Sequence, residues 1–188
     1  MSNIRSSHTI SIFSGISIPG IDRSLVVALS KVRRSNLTIF MKIMSKIGDG
    51  YVWGIICIMA TLINLHIGLT MMCASVLQVV IQQIVKHIFI RQRPFIAHDD
   101  IFYIIPPPDK FSFPSGHTAG AFVMVFMAFH FFPILFGAFL IIACLIAISR
   151  VYLGLHYPTD LLGGVALGYI SYKLGLLLLT AFSPISVS

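Results

Sequence analysis

The chain has 188 residues, of which 57% are hydrophobic and 10% are charged, and its formal net charge is +7. This composition is typical of a membrane protein and excludes an ordinary soluble globular domain. A basic balance can mark a nucleic-acid binder. Because seven of the thirteen Lys and Arg precede the first convincing apolar span, we expect them to contact anionic lipid head groups, with no nucleic acid as partner.

The N-terminal part predicts an arm followed by an amphipathic helical segment. Residues 1–20 are polar and rich in serine and hold no long apolar core, so we expect an arm and no cleaved signal peptide. Within 21–47, apolar residues recur at helical spacing between basic residues. We expect one or two amphipathic helices that lie at the membrane interface, within a single membrane-embedded domain covering 21–188.

Five apolar stretches follow a turn at 48–50 and predict membrane spans. They cover about 51–66, 67–90, 118–132, 134–152 and 159–182. The first is short for the ~20 residues that a crossing usually needs. The expected fold is an all-α polytopic membrane bundle of five transmembrane helices, or six if the amphipathic segment also crosses.

Two polar loops, at 91–117 and 153–158, interrupt the apolar stretches. Two predicted spans separate these loops, and two crossings return a chain to the face from which it started. We therefore expect the residues beside both loops to meet on one face of the membrane.

The end of the second predicted span carries two basic residues, Lys86 and Arg93, followed by Pro94. Seven residues make about two helical turns, so both cations would share one helical face if the helix persists as far as Pro94. Such cations can hold a phosphate, Arg bidentately and Lys as a point charge. Arg91 is expected at the rim. Taken alone, Lys86 and Arg93 could equally be cations that snorkel at a helix end.

Residues 114–117, Pro-Ser-Gly-His, precede the third predicted span. The backbone amides of a helix start form a seat for an anion, and Gly116 lets a ligand approach the backbone closely. Ser115 can donate a hydroxyl hydrogen bond, and His117 suits proton donation near neutral pH. An ordinary helix cap is the alternative explanation.

The fourth predicted span ends on Arg150, and His156 and Asp160 follow it. A spacing of four residues lets Asp160 accept a hydrogen bond from one nitrogen of His156, which leaves the other nitrogen as a nucleophile. Arg150 adds a third cation. A structural hydrogen bond is the alternative for the His–Asp pair alone.

Together, the three motifs resemble the membrane branch of the type 2 phosphatidic acid phosphatase superfamily, which also contains the vanadium haloperoxidases. The pattern of that superfamily is Lys-x6-Arg-Pro, then Pro-Ser-Gly-His, then Ser-Arg-x5-His-x3-Asp. The chain matches it without departure at 86–94, 114–117 and 149–160.

This resemblance implies a role for each matched residue. The residues expected to bind phosphate are Lys86, Arg93, Ser115, Gly116 and Arg150. His156 would attack phosphorus and form a phosphohistidine, Asp160 would orient His156, and His117 would protonate the leaving oxygen and then activate water. Members of the family work without metal, and no metal or other cofactor is expected here.

The expected partners are membrane lipids, with a lipid phosphate or diphosphate as substrate. The small size and the run at 109–113 resemble small bacterial undecaprenyl-diphosphate phosphatases, which favours the bacterial inner membrane. The alternatives are phosphatidylglycerophosphate, phosphatidate or lipid A as substrate, a lipid phosphotransferase, and a non-catalytic lipid-binding module. An interfacial 21–47 segment would put the site on the cytoplasmic face by the positive-inside rule, and a crossing segment would put it outside.

Overall fold

The computed structural model describes residues 19–182, so most of the predicted N-terminal arm lies outside the described residues. Helices dominate and no strand occurs among residues 19–182, which confirms the all-α prediction. In chain order the helices are α1 (Pro19–Lys31), α2 (Ser35–Ile47), α3 (Gly50–Ile63), α4 (Leu65–Phe89), α5 (Pro94–Ala97), α6 (Gly116–Phe131), α7 (Phe136–Tyr152) and α8 (Pro158–Phe182).

Three helical units are long and apolar enough to cross a membrane: α4, Pro133–Tyr152 and Pro158–Ala181. The pair α2 and α3 would count as a fourth, bent by 50° at its break, and α6 is a shorter apolar helix. The polytopic bundle is confirmed, although length and composition alone give fewer spans than the expected five to six. The reason is that α3 and α6 have 14 and 16 residues, fewer than the ~20 that a crossing usually needs.

Helix α6 lies at the centre of the bundle and packs against α4, α7 and α8. Its contact with α8 is close because two glycines of α8 face it. A Cβ atom on Gly164 or Gly168 would come within 2.8 Å of the carbonyl oxygen of Ser115 or Ala119. Small residues at this spacing let helix backbones approach each other, so the start of α6 is held firmly beside the start of α8.

The N-terminal helices are docked on the bundle, α1 against α7 and α8, and α2 against α7. Val26 and Met41 are buried in these contacts. Between the two helices, Arg33 donates to the carbonyl oxygens of Tyr152 and Phe102 at 3.0 and 2.9 Å. The amphipathic segment is therefore an integral part of the described structure, and its interfacial position stays a prediction.

Helix α4 ends at Phe89, although Pro94 alone would not have ended it so early. Ile90 follows in the left-handed conformation, with φ of 47°, and its amide donates to the carbonyl oxygen of Lys86. This cap turns the chain out of the helix. The expectation that Lys86 and Arg93 share one helical face is therefore wrong, because Arg93 lies in extended backbone beyond the helix end.

Candidate active site

The two polar loops meet through Arg93 and His156, as the order of spans predicted. Arg93 Nη1 lies 3.3 Å from His156 Nε2 and donates to the carbonyl oxygen of Leu155 at 2.9 Å. Both side chains are buried. A guanidinium cannot accept a hydrogen bond, so Nε2 is the acceptor in this contact and carries a lone pair. The proton of a neutral His156 then sits on Nδ1.

Asp160, in the first turn of α8, faces that Nδ1 atom. Its Oδ2 lies 3.5 Å away and accepts from the Tyr157 amide at 2.7 Å. The distance to His156 exceeds that of an ordinary hydrogen bond. The two side chains therefore face each other without forming one. Burial, reinforced by Arg93 and Arg150, lowers the pKa of His156 well below its ordinary value. The imidazole is therefore neutral at physiological pH.

Lys86 and Arg93 come together on a residue that the sequence does not single out, Asp109. Lys86 Nζ lies 2.5 Å from Asp109 Oδ2, and Arg93 Nη2 lies 2.8 Å from Oδ1. Partial burial would raise the pKa of Asp109, but Lys86 and Arg93 outweigh burial and hold that pKa below its usual value. Both predicted phosphate ligands thus share one ionised carboxylate.

Ser115 and Gly116 lie at the start of α6, where the helix-cap alternative also finds support. Ser115 is the N-cap, and its Oγ accepts from Thr118 Oγ1 at 2.9 Å. Its amide donates to the carbonyl oxygen of Asp160 at 3.0 Å. Gly116 packs so closely on the buried side chain of Gln82 that an added Cβ would overlap it. Both residues therefore have a structural role, and their contact with phosphate stays a prediction.

Arg150 ends α7 and is buried. It donates through Nη1 to Ser45 Oγ, while its Nε has no hydrogen-bond partner among residues 19–182. A buried guanidinium nitrogen without a partner is costly, so this position suits an anionic ligand. Within the described part of the chain, no group of three or more His, Cys, Asp or Glu is placed to hold a metal ion.

His117 contacts a second residue that the sequence leaves as part of a turn, Asp49. His117 Nε2 lies 3.0 Å from Asp49 Oδ1. Asp49 is the N-cap residue of α3, at the break between α2 and α3, and its carboxylate makes no capping hydrogen bond to that helix. The structure therefore sets a carboxylate against each of the two predicted catalytic histidines.

Arg91, expected at the rim, instead lies behind Asp160. Its Nη1 lies 2.5 Å from Asp160 Oδ1, and its Nη2 lies 2.6 Å from Asp22 Oδ2. Thr159 completes the cluster by donating to Asp22 from Oγ1 at 2.5 Å and from its amide at 3.2 Å. Asp22 is buried on α1. No local sequence signal marks Asp22, since its partners lie far along the chain.

The sequence profile of the PAP2 superfamily matches residues 64–183, and the chain belongs to that superfamily. With its apolar helices, it is an integral membrane protein. It is 33% identical over 141 residues to the undecaprenyl-diphosphatase of Sulfolobus acidocaldarius, which covers 70% of this chain and 66% of that protein. It is 40% identical over 77 residues to phosphatidylglycerophosphatase B of Bacillus subtilis, 35% of this chain and 37% of that protein.

The fold is also similar to the crystal structure of Aquifex aeolicus LpxE, with a TM-score of 0.75 and 26% identity. That similarity covers 89% of this chain and 98% of the LpxE chain. All eight predicted site residues lie inside the region that the superfamily profile matches, whereas Asp22 and Asp49 lie before it.

Proposed function

We propose that this protein is a membrane lipid phosphatase that works through a phosphohistidine on His156. One observation carries the proposal. Arg93 donates to Nε2 of a buried, neutral His156 whose Nδ1 faces Asp160. A lone pair is thus presented beside a fixed cation, which is the arrangement that a nucleophilic histidine needs to attack an anionic phosphate.

In the proposed first step, the Nε2 lone pair forms a bond to phosphorus while the bond from phosphorus to the lipid oxygen breaks. Lys86, Arg93 and Arg150 stabilise the phosphoryl oxygens, taking the electrostatic role that a metal has in other phosphoryl transfers. Asp160 stabilises the positive charge that develops on His156.

His117 donates a proton to the leaving lipid oxygen in that first step. In the second step, it removes a proton from water, whose oxygen attacks the phosphohistidine. Inorganic phosphate leaves and the imidazole of His156 returns to its neutral form. Each bond that forms is thus matched by one that breaks, and His117 ends in its starting protonation state.

Undecaprenyl diphosphate is the proposed substrate, and the bacterial inner membrane is the proposed location. The similarity to the Sulfolobus undecaprenyl-diphosphatase supports this choice. The similarity to phosphatidylglycerophosphatase B supports phosphatidylglycerophosphate as the second candidate, and phosphatidate and lipid A are further alternatives.

The test is phosphate release by detergent-purified protein in the presence of EDTA. The panel comprises undecaprenyl diphosphate, phosphatidate, phosphatidylglycerophosphate and lipid A, each with the wild type and with His156→Ala. We expect release by the wild type and none by the variant, and the ranking of rates identifies the substrate class. Equal release by both proteins contradicts the assignment of His156 as nucleophile.

Two outcomes would point to the alternatives. Transfer of labelled phosphate to an added acceptor lipid, without release of free phosphate, indicates a phosphotransferase. Lipid binding without release or transfer indicates a non-catalytic module.

A further inference from the structure

We propose that Asp49 is the positioning residue for the general acid His117, and that in the first step it matters most when the leaving group is a strong base. This inference rests on the proposed function and deepens it. It concerns a residue outside the region that the superfamily profile matches.

The α2–α3 turn holds one edge of the His117 ring. Asp49 Oδ1 lies 3.0 Å from Nε2. Gly48, one residue earlier, is so close that an added Cβ would lie 3.0 Å from His117 Cδ2 and 2.8 Å from Ile146. Cδ2 and Nε2 form one edge of the imidazole, so this whole edge faces the turn. Nδ1 is on the other edge and is the nitrogen that remains for substrate.

A carboxylate on one imidazole nitrogen fixes which nitrogen carries the exchangeable proton. With Nε2–H donated to Asp49, protonation of His117 places the transferable proton on Nδ1. Asp49 thereby performs for His117 the orienting task that Asp160 performs for His156, from a different part of the chain.

The charges around His117 give Asp49 a second task. Burial disfavours a positive charge on His117, and Arg150 on α7, Lys86 on α4 and Arg93 before α5 oppose it further. Asp49 is the carboxylate in direct contact with the ring. It therefore offsets part of the repulsion that an imidazolium would meet in this site.

The basicity of the leaving group determines how strongly the reaction rate depends on Asp49. A lipid alkoxide, released from a lipid monophosphate, is a strong base that leaves only with a proton. A p-nitrophenolate or a lipid phosphate, released from p-nitrophenyl phosphate or a lipid diphosphate, is a weak base whose departure depends little on a proton. Loss of Asp49 should therefore slow the first step for the first class of substrate and spare that step for the second class.

The experiment compares Asp49→Asn with wild type in the rate of leaving-group release during a single turnover, which reports the first step alone. The substrates are the lipid monophosphate that the wild type hydrolyses fastest and p-nitrophenyl phosphate. We expect a loss of at least about tenfold on the lipid, part of the ~10²–10⁴ that general acid catalysis provides. On p-nitrophenyl phosphate, we expect a change of less than about twofold, because the departure of that leaving group depends little on a proton.

Gly48→Ala is the second variant, because it displaces the turn while keeping the carboxylate, and it should show the same selective loss. Asp100→Asn is the matched control, since that carboxylate pairs with Arg23 at the surface, and it should leave both rates unchanged. Equal losses of Asp49→Asn on both substrates would reveal a merely structural role and overturn the inference, as would no loss on either. Failure of the proposed function itself would be seen in the wild type, which would release no phosphate from any substrate.

Discussion

Arg91 Nη1 lies 2.5 Å from Asp160 Oδ1, on the side of the carboxylate that does not face His156. Arg91 thus lies, partly buried, between the proposed catalytic centre and Asp22 of α1. An arginine in this position fixes the orientation of Asp160 and ties the first helix of the described structure to the site.

Asp22→Ala should destabilise the protein, because Arg91 loses one of its two anionic partners and both Thr159 donors lose their acceptor. Removing one partner of a buried ion pair typically costs about 3–5 kcal/mol. In the same detergent, the variant should therefore unfold at a lower temperature than the wild type. Arg23→Ala removes the exposed pair with Asp100 and is the control, with an expected change of less than about 1 kcal/mol. Similar unfolding of both variants would mean that the Asp22 cluster adds no stability.

Asp160→Asn should lower kcat by about 10²-fold or more, since Asn cannot stabilise the charge that develops on His156. The measurement is lipid phosphate release at saturating substrate, with thermal unfolding as the check on folding. A variant that keeps its kcat within about threefold of the wild type would remove Asp160 from the proposed mechanism.

Asp109→Asn should strengthen inhibition by inorganic phosphate, because it removes the anion that shares Lys86 and Arg93. One charge at this range corresponds to about a tenfold fall in the inhibition constant. The pKa of Asp109 is held below its usual value, so the carboxylate stays ionised from neutral to mildly acid pH. The ratio between the two proteins should therefore be constant from about pH 5 to 8, and a weaker inhibition in the variant would show that Asp109 orients the cations instead.

His156 should make the folded state sensitive to acid. Its pKa in the folded protein is depressed by burial and nearby cations, so its contribution to stability is complete above the ordinary histidine pKa of about 6.5 and is lost as the pH falls below it. The slope is about 1.4 kcal/mol per pH unit. Unfolding temperatures of the wild type and His156→Gln, measured from pH 8 to 5, should diverge below pH 6.5, with the wild type losing more. Parallel curves would contradict the depressed pKa.

The helices and the three motifs could be predicted from the sequence because each depends on local pattern. Apolar runs define α4, α7 and α8, and the count of spans correctly brought Arg93 and His156 to one face. The prediction that Lys86 and Arg93 share one helical face was wrong, because the left-handed conformation of Ile90 redirects the chain. A β-branched residue gives no sequence signal for that conformation.

The carboxylates Asp22, Asp49 and Asp109 could not be predicted as parts of the site. Asp22 and Asp49 belong to no catalytic motif, Asp109 was noted only as part of the run at 109–113, and each depends on partners supplied by tertiary packing. Asp49, for example, meets His117 across 68 positions of the chain. Arg91 was misplaced for the same reason, since only the docking of α1 gives it Asp22.

The region shared with the superfamily begins at residue 64, so a chain trimmed to that region would keep every residue of the three motifs. It would lose Asp49, which faces His117, and Asp22, which is one of the two carboxylates paired with Arg91. His117 would then lack its carboxylate, and Arg91 would keep only Asp160 as an ion-pair partner. Grafting the motifs onto another member of the superfamily therefore demands that its leading helices be exchanged together with them.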